Sequence, residues 1–194
     1  NIVINKQTVH NEQPLKVVSV SDVHLGYGTD KEELKQYVEM INAQKPDLIL
    51  IGGDLIDNSV VPLYEEKMTE ELAELKAPLG IYMVPGNHEY ISGIRKSMQF
   101  INETPIRLLR DDVVTLPGGI QIIGRDDRSN KSRLSLQELV KNIDPAKPVI
   151  LLDHQPYNLS DTENAGIDLQ FSGHTHRGQV WPVSLITDHL FDQS

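Results

Sequence analysis

The chain has 194 residues, 39% of them hydrophobic and 24% charged, enough for one large domain with a well-buried core. It carries no apolar run of bilayer-crossing length and no visible secretory signal, and the absence of cysteine excludes disulfides and thiolate metal sites. A net charge of −10 disfavours a general nucleic-acid groove, but bound cations can invert the local potential for a phosphorylated ligand.

Short apolar runs alternate with amphipathic segments along the chain. Lys16 to Val20 reads as a buried, β-branched strand. Residues 30 to 44 read as a helix with Leu34, Tyr37, Val38 and Ile41 on one face and an Asp30/Glu33 capping box. Asp47 to Ile51 is the second strand, closed by Gly52-Gly53. A helix is expected over 64–76, burying Met68, Leu72 and Leu75. Ile81 to Val84 is the third strand, and a short helix over 92–102 should turn Ile94, Met98 and Ile101 inward. Val113–Leu116 and Ile120–Ile123 flank Pro117-Gly118-Gly119, a hairpin signal. Ser135 and Glu138 cap a helix running to about Ile143. Val149–Leu152 and Ile167–Phe171 are the remaining strands. Strands alternating with helices, plus one hairpin, predict an α/β layered domain with a mixed sheet.

The polar residues that follow the strands carry the chemistry. Asp22-Val23-His24, Asp54 with Asp57-Asn58, Asn87-His88-Glu89, Asp153-His154 and His174-Thr175-His176 each follow one strand. Ligands in layered α/β folds sit at the carboxyl ends of strands. Taken singly, each motif reads as turn or cap chemistry; their conjunction in five loops points to metal. His nitrogen and Asp oxygen suit manganese, iron or zinc, and Asn adds a carbonyl oxygen. Asp22, His24, Asp54, Asn87, His154, His174 and His176 are too many ligands for one tetrahedral ion. With one bridging carboxylate they match a two-metal site, whose ions lie about 3.5–4 Å apart. His10 and His189 fall outside the pattern and read as ordinary histidines.

In these motifs, from Asp22-Val23-His24 through Gly53-Asp54-Leu55-Ile56-Asp57-Asn58 and Gly86-Asn87-His88-Glu89 to His154 and Gly173-His174-Thr175-His176, the chain resembles the calcineurin-like metallophosphoesterases. The resemblance implies a four-layer sandwich of two mixed β-sheets flanked by helices. It implies that Asp22, His24 and His176 hold a first metal, that Asp54 bridges, and that Asn87, His154 and His174 hold a second. It gives His88 the role of contacting the phosphate or protonating the leaving oxygen, with Asp57 orienting that imidazole. The segment Gly173 to Val180 is similar to a bacterial branch often tethered to membranes or exported, some of whose members act on lipid-linked pyrophosphates.

The expected activity is therefore hydrolysis of a phosphodiester, pyrophosphate or phosphomonoester bond by water activated at a dinuclear Mn, Zn or Fe centre. The alternatives are an inert metal-binding scaffold of the same fold and a nuclease. The expected partner is a phosphorylated small molecule or lipid-linked substrate; membrane association would come from a segment upstream of Asn1, and the compartment stays open. Relatives continue well past the last His-x-His, whereas 18 residues follow His176 here, so a single domain shortened at its carboxyl end is expected. Arg125 or Asp126 lies either at the rim, where an arginine grips phosphate bidentately, or in a solvated charged turn; specificity is expected in the loops near Tyr27, Tyr90, Arg125 and Tyr157, with Tyr90 and Tyr157 either lining the entrance or packed.

Overall fold

The computed structural model describes residues 14–175. Expectations for His10, His176, His189 and the segment from Leu190 to Ser194 lie outside those residues.

The first half of the chain builds one sheet. Strands β1 (Val17–Val20), β2 (Leu48–Ile51), β3 (Ile81–Met83) and β4 (Ile106–Leu108) pair in that order, every pair parallel. The crossovers are α1 (Lys31–Ala43), then α2 (Val61–Glu65) with α3 (Met68–Leu72), then α4 (Asn87–Ile91) with α5 (Ile94–Asn102). The second half contributes β5 (Asp112–Thr115), β6 (Gln121–Gly124), β7 (Val149–Leu152) and β8 (Leu169–Phe171), again paired in chain order. Here β5 runs antiparallel to β6, with Val113 opposite Ile123, and the other pairs are parallel. The hairpin forms as its Pro-Gly-Gly turn predicts. Helices α6 (Leu136–Leu139) and α7 (Leu159–Asn164) lie in the connections of this half.

The period-two alternation of the strands sorts side chains into three cores. Leu48 and Leu50 of β2 meet Ile122, Ile150 and Leu152 between the sheets. Ile49 and Ile51 face the other way, onto Leu34, Val38, Leu63, Met68, Leu72 and Phe100 of the helices. On the far side, Ile123, Val149 and Leu151 pack with Leu136 and Leu139 of α6. The layers are thus helix, sheet, sheet, helix. Strands β2 and β7 read as unbroken apolar runs because both of their faces are covered.

Four local expectations need correction. The helix expected over 64–76 is two helices, broken where Lys67 takes a φ of 54°. Leu63 and Met68 are five residues apart, roughly 140° around a continuous helix; the break lets both bury fully. Helix α5 begins at Ile94 behind the separate helix α4, and it buries Ser97, Phe100 and Ile101 rather than Ile94 and Met98. Ser97 is drawn inward because its hydroxyl donates to the Glu89 carbonyl at 3.1 Å and pairs with Ser92 Oγ at 2.7 Å. The helix expected up to Ile143 ends after one turn and continues as a 3₁₀ turn, Val140–Asn142. Asp30 caps α1 with its side chain on Glu33 N, whereas Ser135 and Glu138 form the full reciprocal box. Among the described residues no helix is long and apolar enough to cross a membrane.

Candidate metal centre

The carboxyl ends of β1, β2, β3, β7 and β8 converge, and the loops leaving them bring together the sequence-predicted ligands that lie within the described residues. Asp22 N donates to Gly53 O at 3.1 Å, His24 N to Asp54 O at 3.0 Å and Leu25 N to Leu55 O at 2.8 Å, which zips the loop after β1 onto the loop after β2. His174 N donates to the Asp22 carboxylate at 2.9 Å, closing the ring from β8 back to β1.

This closeness is held under backbone strain. Of the eight described non-glycine residues with positive φ, four are candidate ligands: Asp22, His24, Asp54 and His174. Each left-handed residue costs on the order of 1–3 kcal/mol and persists only where its surroundings over-determine it. Glycine supplies the remaining clearance. A Cβ on Gly86 would collide with Asp54 Oδ1, and one on Gly173 with Ser21 Oγ and the Asp22 carboxylate.

Asp54 is 1% exposed and lies at the centre. Its Oδ1 accepts from His88 N at 2.9 Å, and its Oδ2 is 3.1 Å from His154 Nε2 and 4.0 Å from His24 Nε2. His154 is fully buried, and its Nδ1 lies 2.7 Å from Gly52 O. That bond sets the tautomer, with the proton on Nδ1 and the Nε2 lone pair aimed inward. The lone pair then faces Asp54 Oδ2 and, at 3.2 Å, Asn87 Oδ1. His174 Nδ1 reaches the same Asn87 oxygen at 2.9 Å. Acceptors converging on a lone pair require a proton or a cation between them. Burial alone would keep His154 neutral, but Asp54 overrides it and raises the imidazole to about 9. Burial and the nearby His154 lower the pKa of His174, against the pull of Asp54, Asp127 and Asp22. Burial would raise Asp54, but hydrogen bonds from His154 and His88 bring it below the usual carboxylate value.

Two ligand groups follow, each with donor atoms within 4.8 Å of one another: Asp22, His24 and Asp54, and Asp54, His154 and His174. Asp54 belongs to both. The donor chemistry, imidazole and carboxylate with the Asn87 carbonyl beside it, fits divalent first-row cations.

Asp57 Oδ1 lies 3.1 Å from His88 Nδ1 and 3.5 Å from His24 Nδ1, at ion-pair distance rather than in an aligned hydrogen bond to His88. The two imidazoles meet edge to face with centroids 4.5 Å apart. His24, Asp57 and His88 form a third compact group.

The motif also holds a residue to which sequence reasoning assigned no role. Glu89 is 0% exposed, and its Oε2 accepts from Gly86 N at 2.7 Å and Asp54 N at 3.0 Å, while Oε1 accepts from Ile56 N at 2.9 Å. It ties the loop after β3 to the loop after β2, behind Asp54. Burial pushes its carboxyl up to about 7 against the pull of these three N–H groups. Its place beside His88 in the Gly86–Glu89 motif was the available signal.

The rim differs from expectation. Arg125 is engaged elsewhere: its half-buried guanidinium pairs with Asp153 at 2.8 Å, and Arg133 shares that carboxylate at 3.4 Å. Strand alternation explains this, since Ile123 and Leu151 face α6 and Arg125 and Asp153 continue that face. Tyr90 OH donates to Asp126 at 2.8 Å, and Arg110 and Asn130 hold the same carboxylate. Tyr27 is 80% exposed.

The model of the calcineurin-like phosphoesterase family matches residues 15–178, a span that includes every candidate ligand. The chain belongs to this family. It is 37% identical over 180 residues to an uncharacterized metallophosphoesterase of Helicobacter pylori J99, covering 90% of this chain and 48% of that protein. It is 33% identical over 191 residues to one from Aquifex aeolicus, covering 93% and 72%. The chain thus spans about half the length of the first of these relatives. The fold matches a 5'-nucleotidase precursor from Thermus thermophilus at a TM-score of 0.55 and 18% identity, over 84% of this chain and 42% of that one. A putative 5'-nucleotidase from Staphylococcus aureus gives 0.56 at 14% identity, over 84% and 45%.

Proposed function

We propose that this calcineurin-like chain hydrolyses a phosphodiester, pyrophosphate or phosphomonoester bond with two bound cations. The observation that most supports this is the membership of Asp54 in both ligand groups, as a bridging carboxylate requires. Asp22, His24 and Asp54 would hold one cation, joined in the family pattern by His176; Asp54, Asn87, His154 and His174 would hold the other. When bound, such a pair supplies hydroxide near neutral pH and neutralises phosphate charge, with manganese, zinc or iron as the candidate metals.

The chain's own residues account for the rest. The Gly52 carbonyl keeps the proton of His154 on Nδ1, so Nε2 stays available as a ligand. Asp57 lies 3.1 Å from His88 Nδ1 and orients the ring, which leaves Nε2 on the opposite edge to give a proton to the departing oxygen. The edge-to-face contact with His24 fixes the plane of that ring.

The test is metal content together with hydrolysis of an aryl phosphodiester and an aryl phosphomonoester. Wild type should carry about two metals. His88→Ala should keep them while its rate falls about 10²- to 10⁴-fold. Asp54→Ala should lose both metal and turnover. Undiminished hydrolysis by Asp54→Ala would sink the proposal.

A further inference from the structure

The segment from Arg125 to Arg133 carries four basic and two acidic residues in a molecule of net charge −10. Half of that positive charge is ion-paired. Arg125 and Arg133 share Asp153. Lys131 Nζ is engaged by a backbone carbonyl, and the Arg128 guanidinium remains. Its side chain is exposed and makes no hydrogen bond or ion pair among the described residues, and only its carbonyl is used, by Lys131 Nζ at 3.3 Å. Instead it lies on the face of Tyr157, 4.4 Å from the ring centroid. The cation–π contact holds the guanidinium over the ring and leaves its N–H donors for an anion.

Its position is set from the metal centre outward. Tyr157 is three residues beyond His154 on the same post-strand loop. Gln155, next to His154, donates to Asp127 Oδ2 at 2.8 Å, and Asp127 Oδ1 accepts from Ser129 N at 2.8 Å. The Asp127 carboxylate is near enough to act on the His174 imidazole. Below it, Asp126 is anchored by Tyr90, Arg110 and Asn130, and Tyr90 belongs to α4, the helix that carries Asn87 and His88. The loop is therefore tied to the loop after β7 and to α4, both of which carry candidate ligands, and it leaves the Arg128 guanidinium unspent.

We propose that Arg128, seated on Tyr157, is a second anion-binding position that takes a negatively charged group, phosphoryl or carboxylate, carried by the substrate beyond the bond that is cleaved. The inference rests on the hydrolase reading for what is cleaved, but its test does not depend on turnover. Methylphosphonate, α,ω-bisphosphonates of increasing methylene count and the matching carboxyalkylphosphonates are titrated calorimetrically into metal-loaded protein. At least one doubly anionic ligand should bind wild type about tenfold or more tighter than methylphosphonate. Arg128→Ala should erase that advantage and leave methylphosphonate within about twofold. Tyr157→Phe should retain the advantage and Tyr157→Leu should reduce it. Whether bisphosphonates or carboxyalkylphosphonates gain identifies the second anion. The proposal is overturned if no doubly anionic ligand gains, or if Arg128→Ala weakens single and double anions equally. An advantage that persists in a protein with no turnover of any ester would remove the hydrolase reading and keep the anion position. Turnover without any advantage would do the reverse.

Discussion

Glu89 shows how a side chain with no access to solvent can govern the centre. Its two oxygens hold the backbone N–H groups of Asp54, Ile56 and Gly86, so the central carboxylate is located from behind. In Glu89→Gln an amide NH₂ replaces one acceptor and must face a backbone N–H, at a cost of about 1–3 kcal/mol. We expect metal occupancy to fall several-fold while the far-ultraviolet circular dichroism stays native, with metal analysis as the readout. Asp126 makes a second residue-level case. Burial alone would raise its carboxyl, but hydrogen bonds from Arg110, Asn130 and Tyr90 outweigh it and lower the pKa. A carboxylate depressed in the fold adds stability above its unfolded value, 3.8, and that stability is lost as pH falls through the lower folded value. Asp126→Asn should therefore flatten the acid limb of a stability profile taken by denaturant titration between about pH 5 and pH 2. An unchanged acid limb would mean that Arg110 contributes nothing there.

Among the elements, β2 carries the most, since Leu48 and Leu50 enter one core and Ile49 and Ile51 another. Leu50 is 1% exposed, and Leu50→Ala should cost about 2–5 kcal/mol in equilibrium unfolding. The strands of this kind were legible in the sequence because continuous β-branched and leucine runs have few other uses. The candidate ligands were legible for a related reason: each follows such a run directly. What escaped was set by contacts the period does not encode. The Lys67 break depends on a five-residue offset between Leu63 and Met68 that only the packed core rewards. The inward turn of Ser97 depends on the Glu89 carbonyl. Strand β4 is three residues long and α7 six, too short to show periodicity. Arg125 was misplaced because its distance from Asp153 along the chain hides their pairing.

At the scale of the molecule, the layered arrangement aims five loops at one point and gives the helices no direct part in the centre beyond α4. A cation bound there would be held only by the folded form. Chelator-treated protein should therefore melt at lower temperature, and metal restored to about 100 times its dissociation constant should recover about 2.7 kcal/mol. A melting temperature indifferent to chelation, with metal analysis confirming its removal, would detach the centre from the stability of the fold.

The hydrogen bond from His174 N to the Asp22 carboxylate joins residues 152 positions apart. Nothing local can assemble such a pair, and topologies dominated by distant contacts fold slowly. During synthesis, at about 5–20 residues per second, the loops after β1, β2 and β3 emerge with four of the seven candidate ligands, Asp22, His24, Asp54 and Asn87, and wait for the later segments to deliver the others. For that interval the nascent chain exposes carboxylates and imidazoles that are not yet joined into one centre. Its last strands therefore decide when the molecule becomes competent, and a ribosome stalled before residue 149 would hold a chain that has its first sheet but lacks β7 and β8.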